Sequence, residues 1–161
     1  MTIKYICTYD TAISPVTMVA SDAALERLDF GASVKGSGYE CGSILVHGKN
    51  EITELAHLQI VEYLEGKRRE FDIALSLRGS DFQMRVWAAM REIPWGKTLT
   101  YKEIAALSGN AKASRAAGGA IHRNPVVIII PCHRVIGADG GLTGFGGGLD
   151  VKRRLLELEG A

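Results

Sequence analysis

The chain has no run of about eighteen apolar residues, so nothing in it reads as a membrane-spanning helix. Cysteine is scarce: only Cys7, Cys41 and Cys132 occur among 161 residues, too few and too dispersed for a disulfide framework. The start, Met1-Thr2-Ile3-Lys4-Tyr5, lacks the apolar core and small-residue cleavage site of a secretory signal. An odd number of thiols without an export signal points to reduced cysteines in a cytoplasm, nucleoid-associated if the source is prokaryotic. Cys7, Cys41, His47 and His57 follow no tight ligand spacing, so no metal site is expected. A surplus of one charge is also missing: the formal net charge of +1 argues for no partner by itself.

What is present fits a compact α/β protein. The chain is 47% hydrophobic and 23% charged, enough to bury a core and ordinary for a globular protein. Its length allows one large domain or two small ones. Charge divides unevenly between the halves. Residues 1–80 hold 8 Lys and Arg against 11 Asp and Glu, a net of −3; residues 81–161 hold 11 against 7, a net of +4. Seven basic residues between Arg91 and Arg134 face only Glu92 and Glu103. That asymmetry suits a polyanion docking on the second half, and equally a solvated helical surface.

In chain order, residues 3–9 alternate and are β-prone, and residues 15–20 look like their hairpin partner. Residues 24–30 suit a third strand or a short helix. Residues 31–42 read as a loop, and 43–47 as another strand. Asn50 can cap a helix over 51–64, with Ile52, Ala56, Ile60, Tyr63 and Leu64 inward and Gly66 stopping it. Residues 71–77 read as a last strand. The boundary is expected at Arg78–Ser80, giving a structural α/β domain over 1–79 and a second domain over 80–161.

The second domain opens with a helix capped by Ser80 or Asp81, running to about Glu92 with Phe82, Val86, Ala89, Met90 and Ile93 on one stripe. Pro94-Trp95-Gly96 breaks it. A helix from near Thr100, with Glu103 completing a capping box, ends at Ser108-Gly109. Another runs from about Lys112 to His122, with Ala113, Ala116, Ala117, Ala120 and Ile121 at inward spacing. Two short helices with a basic second member give a helix-turn-helix signal, which an ordinary α-hairpin also matches. Gly118 and Gly119 each cost about 1 kcal/mol inside a helix. Such residues suit close approach of another backbone, whether a neighbouring helix or DNA.

Asn124-Pro125 leads into Val126-Val127-Ile128-Ile129-Ile130, five β-branched residues that predict a short strand buried on both faces. Pro131 must end it, and Cys132, His133 and Arg134 follow in the turn. A free cysteine is commonly a small core hydrophobe. Arg134, however, must reach water or a charged partner, and His133 can supply the base that a thiol needs to react. The Gly-rich segment 137–148 reads as a wall around a planar ligand with Phe145 as a stacking surface, or as a plain loop. A closing helix over 149–159 ends in Glu159, where the helix dipole disfavours a carboxylate unless a buried hydrogen-bonding task holds it there. From the residues alone, three functions stand: a reactive thiol acting on DNA, a DNA-binding module with an inert thiol, and a Cys-His hydrolase.

Ile130-Pro131-Cys132-His133-Arg134-Val135-Ile136 resembles the active-site signature of the 6-O-alkylguanine-DNA alkyltransferases, the methylated-DNA–protein-cysteine methyltransferases. Ile93-Pro94-Trp95-Gly96-Lys97-Thr98 with Tyr101, Arg115-Ala116-Ala117-Gly118-Gly119-Ala120, Asn124-Pro125 and the run through Phe145 and Leu149 to Glu159 are similar to that family in order and spacing. The resemblance covers the chain from about Ser80 onward; the first half looks like the family's variable N-terminal domain.

The resemblance implies a ribonuclease-H-like first domain with a small, mainly antiparallel sheet. It implies a mainly helical second domain with a helix-turn-helix and a short buried active-site strand. The implied activity is single-turnover transfer of an alkyl group from 6-O-alkylguanine in double-stranded DNA to a cysteine, with alkylated thymine as a further substrate. No cofactor is required, and the protein is expected to act as a monomer. Cys132 is then nucleophile and alkyl acceptor, His133 its base through a water, Glu159 the orienter of His133, and Asn124 the residue that holds the turn. Tyr101 would help rotate the nucleotide and hydrogen-bond the leaving base. Arg115 would fill the gap in the duplex, with Ala116, Gly118, Gly119 and Arg123 also against DNA. Val135, through its carbonyl, and Phe145, Gly146 and Ile121 would line the base pocket. The chain departs from the family in two places: Gly146 stands where many members have serine or alanine, and Phe145 where tyrosine is common. Cys132 itself separates it from the alkyltransferase-like proteins that bind lesions without repairing them.

Overall fold

A computed structural model describes residues 2–34, 42–141, 145 and 147–161. The backbone divides into two units, Met1–Leu77 and Arg78–Ala161. Among the described residues the architecture is α/β, with a small mixed sheet and five α-helices.

In the first unit, β1 (Thr2–Tyr9) pairs antiparallel with β2 (Val16–Ala20), β2 with β3 (Leu25–Phe30), and β1 runs parallel to β4 (Ser43–His47). The sheet order is therefore β3-β2-β1-β4. Residues 24–30, open between strand and helix in the sequence, form a strand. Leu25 and Leu28 bury on it beside Val16, Met18 and Val19 of β2. Helix α1 (Glu51–Leu64) packs on these strands through Ala56, Ile60 and Tyr63, with Thr53 and Gln59 also buried. Its cap is reciprocal: Thr53 N–H donates to Asn50 Oδ1 and Asn50 N–H to Thr53 Oγ1, both at 2.9 Å.

One strand expectation fails in this unit. Residues 71–77 make only a parallel bridge, Leu75 to Leu25, held by Leu25 N–H to Ala74 O and Ser76 N–H to Leu25 O, each 2.9 Å. The Gln59 side chain takes the backbone of Asp72 at both its N–H and its carbonyl, 2.9 Å each, so a side chain replaces the ladder there.

In the second unit, α2 (Asp81–Arg91) is capped by Ser80, which exchanges bonds with Gln83. Helix α3 (Tyr101–Leu107) is capped by Thr100, whose box partner is Glu103. Helix α4 (Ser114–His122) starts two residues later than its sequence pattern predicts and has no side-chain cap. Its buried face is Ala117, Ala120 and Ile121, whereas Ala116 faces solvent. α2, α3 and α4 pack on one another, and buried Trp87 of α2 donates from Nε1 to the Ala120 carbonyl at 2.9 Å. Helix α5 (Leu149–Glu159) spans the expected residues; Leu149 and Arg153 are exposed, and Lys152 is buried with Leu155 and Leu156.

The expected buried strand over 126–130 is also corrected. These residues form a tight buried loop, with Ile129 N–H to Val127 O at 2.8 Å and Ile130 N–H to Val126 O at 2.9 Å. Ile128 has φ 70°, a conformation that costs a β-branched residue and that no strand uses. Burial, not sheet pairing, explains the run of Val and Ile. The strand comes later: β6 (Val135–Ile136) pairs parallel with β5 (Leu99–Thr100), with Leu99 opposite Val135. This two-residue pairing sets Tyr101, the first residue of α3, beside the segment that follows Cys132.

Candidate active site

The turn that carries Cys132 is built from Asn124. Its Oδ1 accepts from Val126 N–H at 3.0 Å and its Nδ2 donates to the Ile130 carbonyl at 2.7 Å. One buried side chain thus closes the loop across six residues and fixes where Pro131 leaves it. Cys132 to Arg134 then form a single 3₁₀ turn: Cys132 N–H reaches Ile130 O at 2.8 Å, and Val135 N–H returns to Cys132 O. The turn is more buried than its charged residues suggest, with Cys132 and Arg134 each 7% exposed and His133 0%.

His133 lies against α5, its Nε2–H donating to Glu159 Oε2 at 2.8 Å. Arg134 grips the same carboxylate from the other side, Nε to Oε1 at 2.7 Å and Nη2 to Oε2 at 2.9 Å. A carboxylate held by a guanidinium through two parallel bonds acts as an acceptor, which assigns the imidazole proton to Nε2 and basicity to Nδ1. Arg134 Nη1 also donates to the Ile93 carbonyl at 2.6 Å, tying the turn to the end of α2. Arg134 therefore meets its need for a charged partner internally. Glu159 has the buried task that its unfavourable helix position implies.

Burial is the largest influence on the titration of Cys132, His133 and Lys152. It pushes the Cys132 thiol up, against the Asn124 hydrogen bond and the Lys152 charge, which both favour the thiolate. It pushes His133 down, against the pull of Glu159, so the imidazole is kept neutral and able to accept a proton. Lys152 is lowered by burial and raised by Cys132. Its Nζ donates to the Val135 carbonyl at 2.7 Å and lies 5.9 Å from the Phe145 ring centroid.

The structure sets Asn124 against Cys132 and pairs His133 with Glu159, the two pairs meeting where Cys132 and His133 are consecutive in the turn. Tyr101 is half-buried at the start of α3, its ring facing Gly118 of α4. Arg115, Ala116, Gly119 and Arg123 are exposed on α4 and just after it. A Cβ at Gly118 would meet Tyr101 only at ordinary contact distance, 3.8 Å, and one at Gly119 would meet nothing within 4 Å. No neighbouring helix, then, accounts for either glycine. Ile121 is buried on the inner face of α4. Phe145 is half-buried, and Gly146 lies outside the described residues. Among the described residues no group of three or more His, Cys, Asp or Glu side chains could hold a metal; Cys41 lies outside them.

Two further residues, Arg134 and Lys152, hold the turn in place. Arg134 was legible as needing a partner, but not which one. Lys152 had a signal, since Lys152, Leu155, Leu156 and Glu159 share the i, i+3, i+4, i+7 spacing of one helix face.

Comparison with known proteins accords with this geometry. A family model described as 6-O-methylguanine DNA methyltransferase, DNA binding domain, matches residues 81–161. A methylated-DNA–protein-cysteine methyltransferase of Methanosarcina barkeri is 46% identical over 151 residues, 93% of each chain. One from Mycobacterium tuberculosis is 56% identical over 101 residues, 63% of this chain and 61% of the relative. The crystal structure of Mycobacterium tuberculosis OGT in complex with DNA superposes with a TM-score of 0.84 at 42% identity, covering 97% of this chain and 92% of that one. With a family model matched over residues 81–161 and a relative 46% identical over 93% of each chain, the chain belongs to the methylated-DNA–protein-cysteine methyltransferase family.

Proposed function

We infer that this protein repairs DNA by taking the alkyl group of 6-O-alkylguanine onto Cys132, once per molecule. The observation that carries the reading is the joined set Asn124–Cys132 and His133–Glu159, in the same unit as the exposed basic helix α4. The thiol proton passes to His133, through a water. Sulfur attacks the alkyl carbon in line, forming an S–C bond as the C–O bond breaks with its electron pair moving to the guanine oxygen. The proton ends on the released guanine, with the Tyr101 hydroxyl as the donor that steadies it. Cys132 becomes a thioether, which has no further route to release the group.

The remaining roles follow in the same reading. The second unit carries both DNA contact and chemistry, and the first unit, a mixed sheet with α1 packed on it, is a ribonuclease-H-like structural domain. Helices α3 and α4 form a helix-turn-helix, with Arg115, Ala116, Gly118, Gly119 and Arg123 toward the duplex. The target atom is unreachable inside the stack, so the nucleotide is turned out at a cost of about a few kcal/mol, and a side chain must fill the gap it leaves. Arg115 is that side chain. Phe145, Ile121 and the Val135 carbonyl bound the pocket, and an alkylated thymine is a second substrate. The protein acts as a monomer in the cytoplasm.

The test is duplex DNA carrying a labelled 6-O-methylguanine. Stoichiometric transfer of label to the protein, lost in Cys132→Ala, is the expected result. Binding without transfer makes the chain a lesion-recognition module instead. Arg115→Ala is expected to slow repair of DNA more than reaction with the free alkylated base; equal losses exclude the gap-filling role.

A further inference from the structure

We propose that Gly96 is a positioning residue for the transfer: the turn it belongs to is the seat on which the last residue of α5 rests, and it fixes where the Glu159 carboxylate meets His133. The inference rests on the alkyl-transfer reading above and extends it to the turn between α2 and β5.

Pro94 to Lys97 form a hydrogen-bonded turn, with Lys97 N–H donating to the Pro94 carbonyl at 3.1 Å. Gly96, third of the four, has φ 78°, which suits glycine or asparagine at that place in a turn. Conformation alone does not account for it. A Cβ on Gly96 would lie 3.1 Å from the backbone carbonyl oxygen of Glu159, closer than side-chain carbons ordinarily pack. Every other described glycine with positive φ would meet nothing within 4 Å. At Gly96, then, the missing side chain makes room for another element, and that element carries the partner of His133.

Glu159 is the last residue of α5, and helix ends fray. A carboxylate placed there keeps a fixed position only if something outside the helix holds it. Arg134 holds its oxygens, Nε to Oε1 at 2.7 Å and Nη2 to Oε2 at 2.9 Å. Arg134 itself leans on the Ile93 carbonyl, one residue before the turn, through Nη1 at 2.6 Å. The segment 93–97 therefore sets Glu159 twice, through the Arg134 fork and through its backbone at Gly96. The same segment runs on into β5, whose Leu99 pairs with Val135 just after the Cys132 turn. One stretch of backbone thus registers both the thiol's turn and the carboxylate that orients the imidazole. A side chain at position 96 would push Glu159 by a few tenths of an ångström. Misplacement by about 1 Å can cost about 10²-fold in rate, so a push of this size is expected to cost about tenfold.

Full-length Gly96→Asn tests this, because asparagine tolerates positive φ and adds the contact with little backbone strain. Gly66→Asn is the control, since φ is 76° there and a Cβ meets nothing within 4 Å. Three quantities are read: single-turnover transfer from saturating duplex DNA carrying 6-O-methylguanine, duplex affinity by fluorescence anisotropy, and the His133 Nε2 proton by NMR, assigned by its absence from His133→Asn. Gly96→Asn should transfer about tenfold more slowly, with affinity near native and the His133 proton resonance moved. Gly66→Asn should change none of the three. Added to Glu159→Gln, Gly96→Asn should cost no further rate, because the carboxylate it displaces is already gone. A Gly96→Asn protein that melts earlier but keeps native transfer and the native resonance makes Gly96 a packing glycine only and overturns the proposal. The same tenfold loss in the Glu159→Gln background overturns it equally. Should Gly96→Asn not fold, Pro94→Gly loosens the same turn without adding an atom: slower transfer that disappears as an effect in Glu159→Gln supports the proposal, and native transfer overturns it. Absence of transfer by the native protein would instead sink the alkyl-transfer reading, while the His133 resonance would still decide whether Gly96 sets Glu159.

Discussion

Arg134 stands next to Cys132 and His133, yet its side chain serves the scaffold. It closes on Glu159 across 25 residues and on the Ile93 carbonyl across 41, so it joins the turn, α2 and α5 at one buried point. Removing one partner of a buried ion pair leaves an uncompensated charge, typically a loss of about 3–5 kcal/mol. Arg134→Met should lose that much in urea denaturation, and Arg134→Lys should recover little of it, because an ammonium cannot make the two parallel bonds and reach Ile93 as well. A Lys variant of native stability would mean that the fork geometry is unimportant. Glu159→Gln separates position from charge. It keeps the shape but takes the anion from His133, so transfer should slow by roughly 10²-fold, within the range of general base catalysis. Affinity for duplex DNA, read by fluorescence anisotropy, should stay near native. Unchanged transfer kinetics would remove Glu159 from the relay.

Among the elements, α4 is where stability and binding pull apart. Gly119 is exposed, and a Cβ there would meet nothing within 4 Å, so the fold gains nothing from its lack of a side chain. Gly119→Ala should stabilise the helix by up to about 1 kcal/mol and still weaken binding to DNA, because the added methyl stands where the duplex would approach. Equal affinity would show that α4 does not meet DNA at this position. Gly79 is the opposite case. A Cβ there would lie 2.6 Å from the Trp87 ring, whose indole N–H is committed to Ala120, so Gly79→Ala should lower Tm without touching the thiol. Local signals read these elements well where they carry their own chemistry: Asn50, Ser80 and Thr100 cap the helices that their side chains announce. They misled where burial and pairing part company. Val126 to Ile130 has the composition of a strand, but the Asn124 amide binds both ends of the segment and folds it into a loop, which no periodicity encodes. Residues 71–77 lost their ladder to the Gln59 side chain for a similar reason.

For the molecule as a whole, the turn at Cys132 to Arg134 was legible because its residues are consecutive in the chain. The charge balance around them was not, since Arg134 and Lys152 depend on partners 25 and 17 residues away. That balance shapes how stability varies with pH. His133 is depressed below its ordinary value of 6.5 by burial, so the folded state binds its proton less readily than the unfolded chain does. Its contribution is complete above pH 6.5 and is lost as pH falls toward the folded value. Cys132 is raised above its ordinary 9.0, so its contribution is complete below that value and is lost as pH rises through it. Lys152, depressed by burial from 10.5, works against the thiol in the alkaline range, relieving its own cost as pH climbs. Tm should therefore peak between about pH 6.5 and 9, fall on the acid side through His133, and fall less steeply on the alkaline side. His133→Asn, which can still donate to Glu159 but cannot titrate, should flatten the acid limb; Cys132→Ser should flatten the alkaline limb and expose the upward slope due to Lys152. If His133→Asn keeps the acid limb of the native protein, the imidazole is not the group whose protonation opens the fold, and the buried His133–Glu159–Arg134 cluster would have to tolerate a second positive charge.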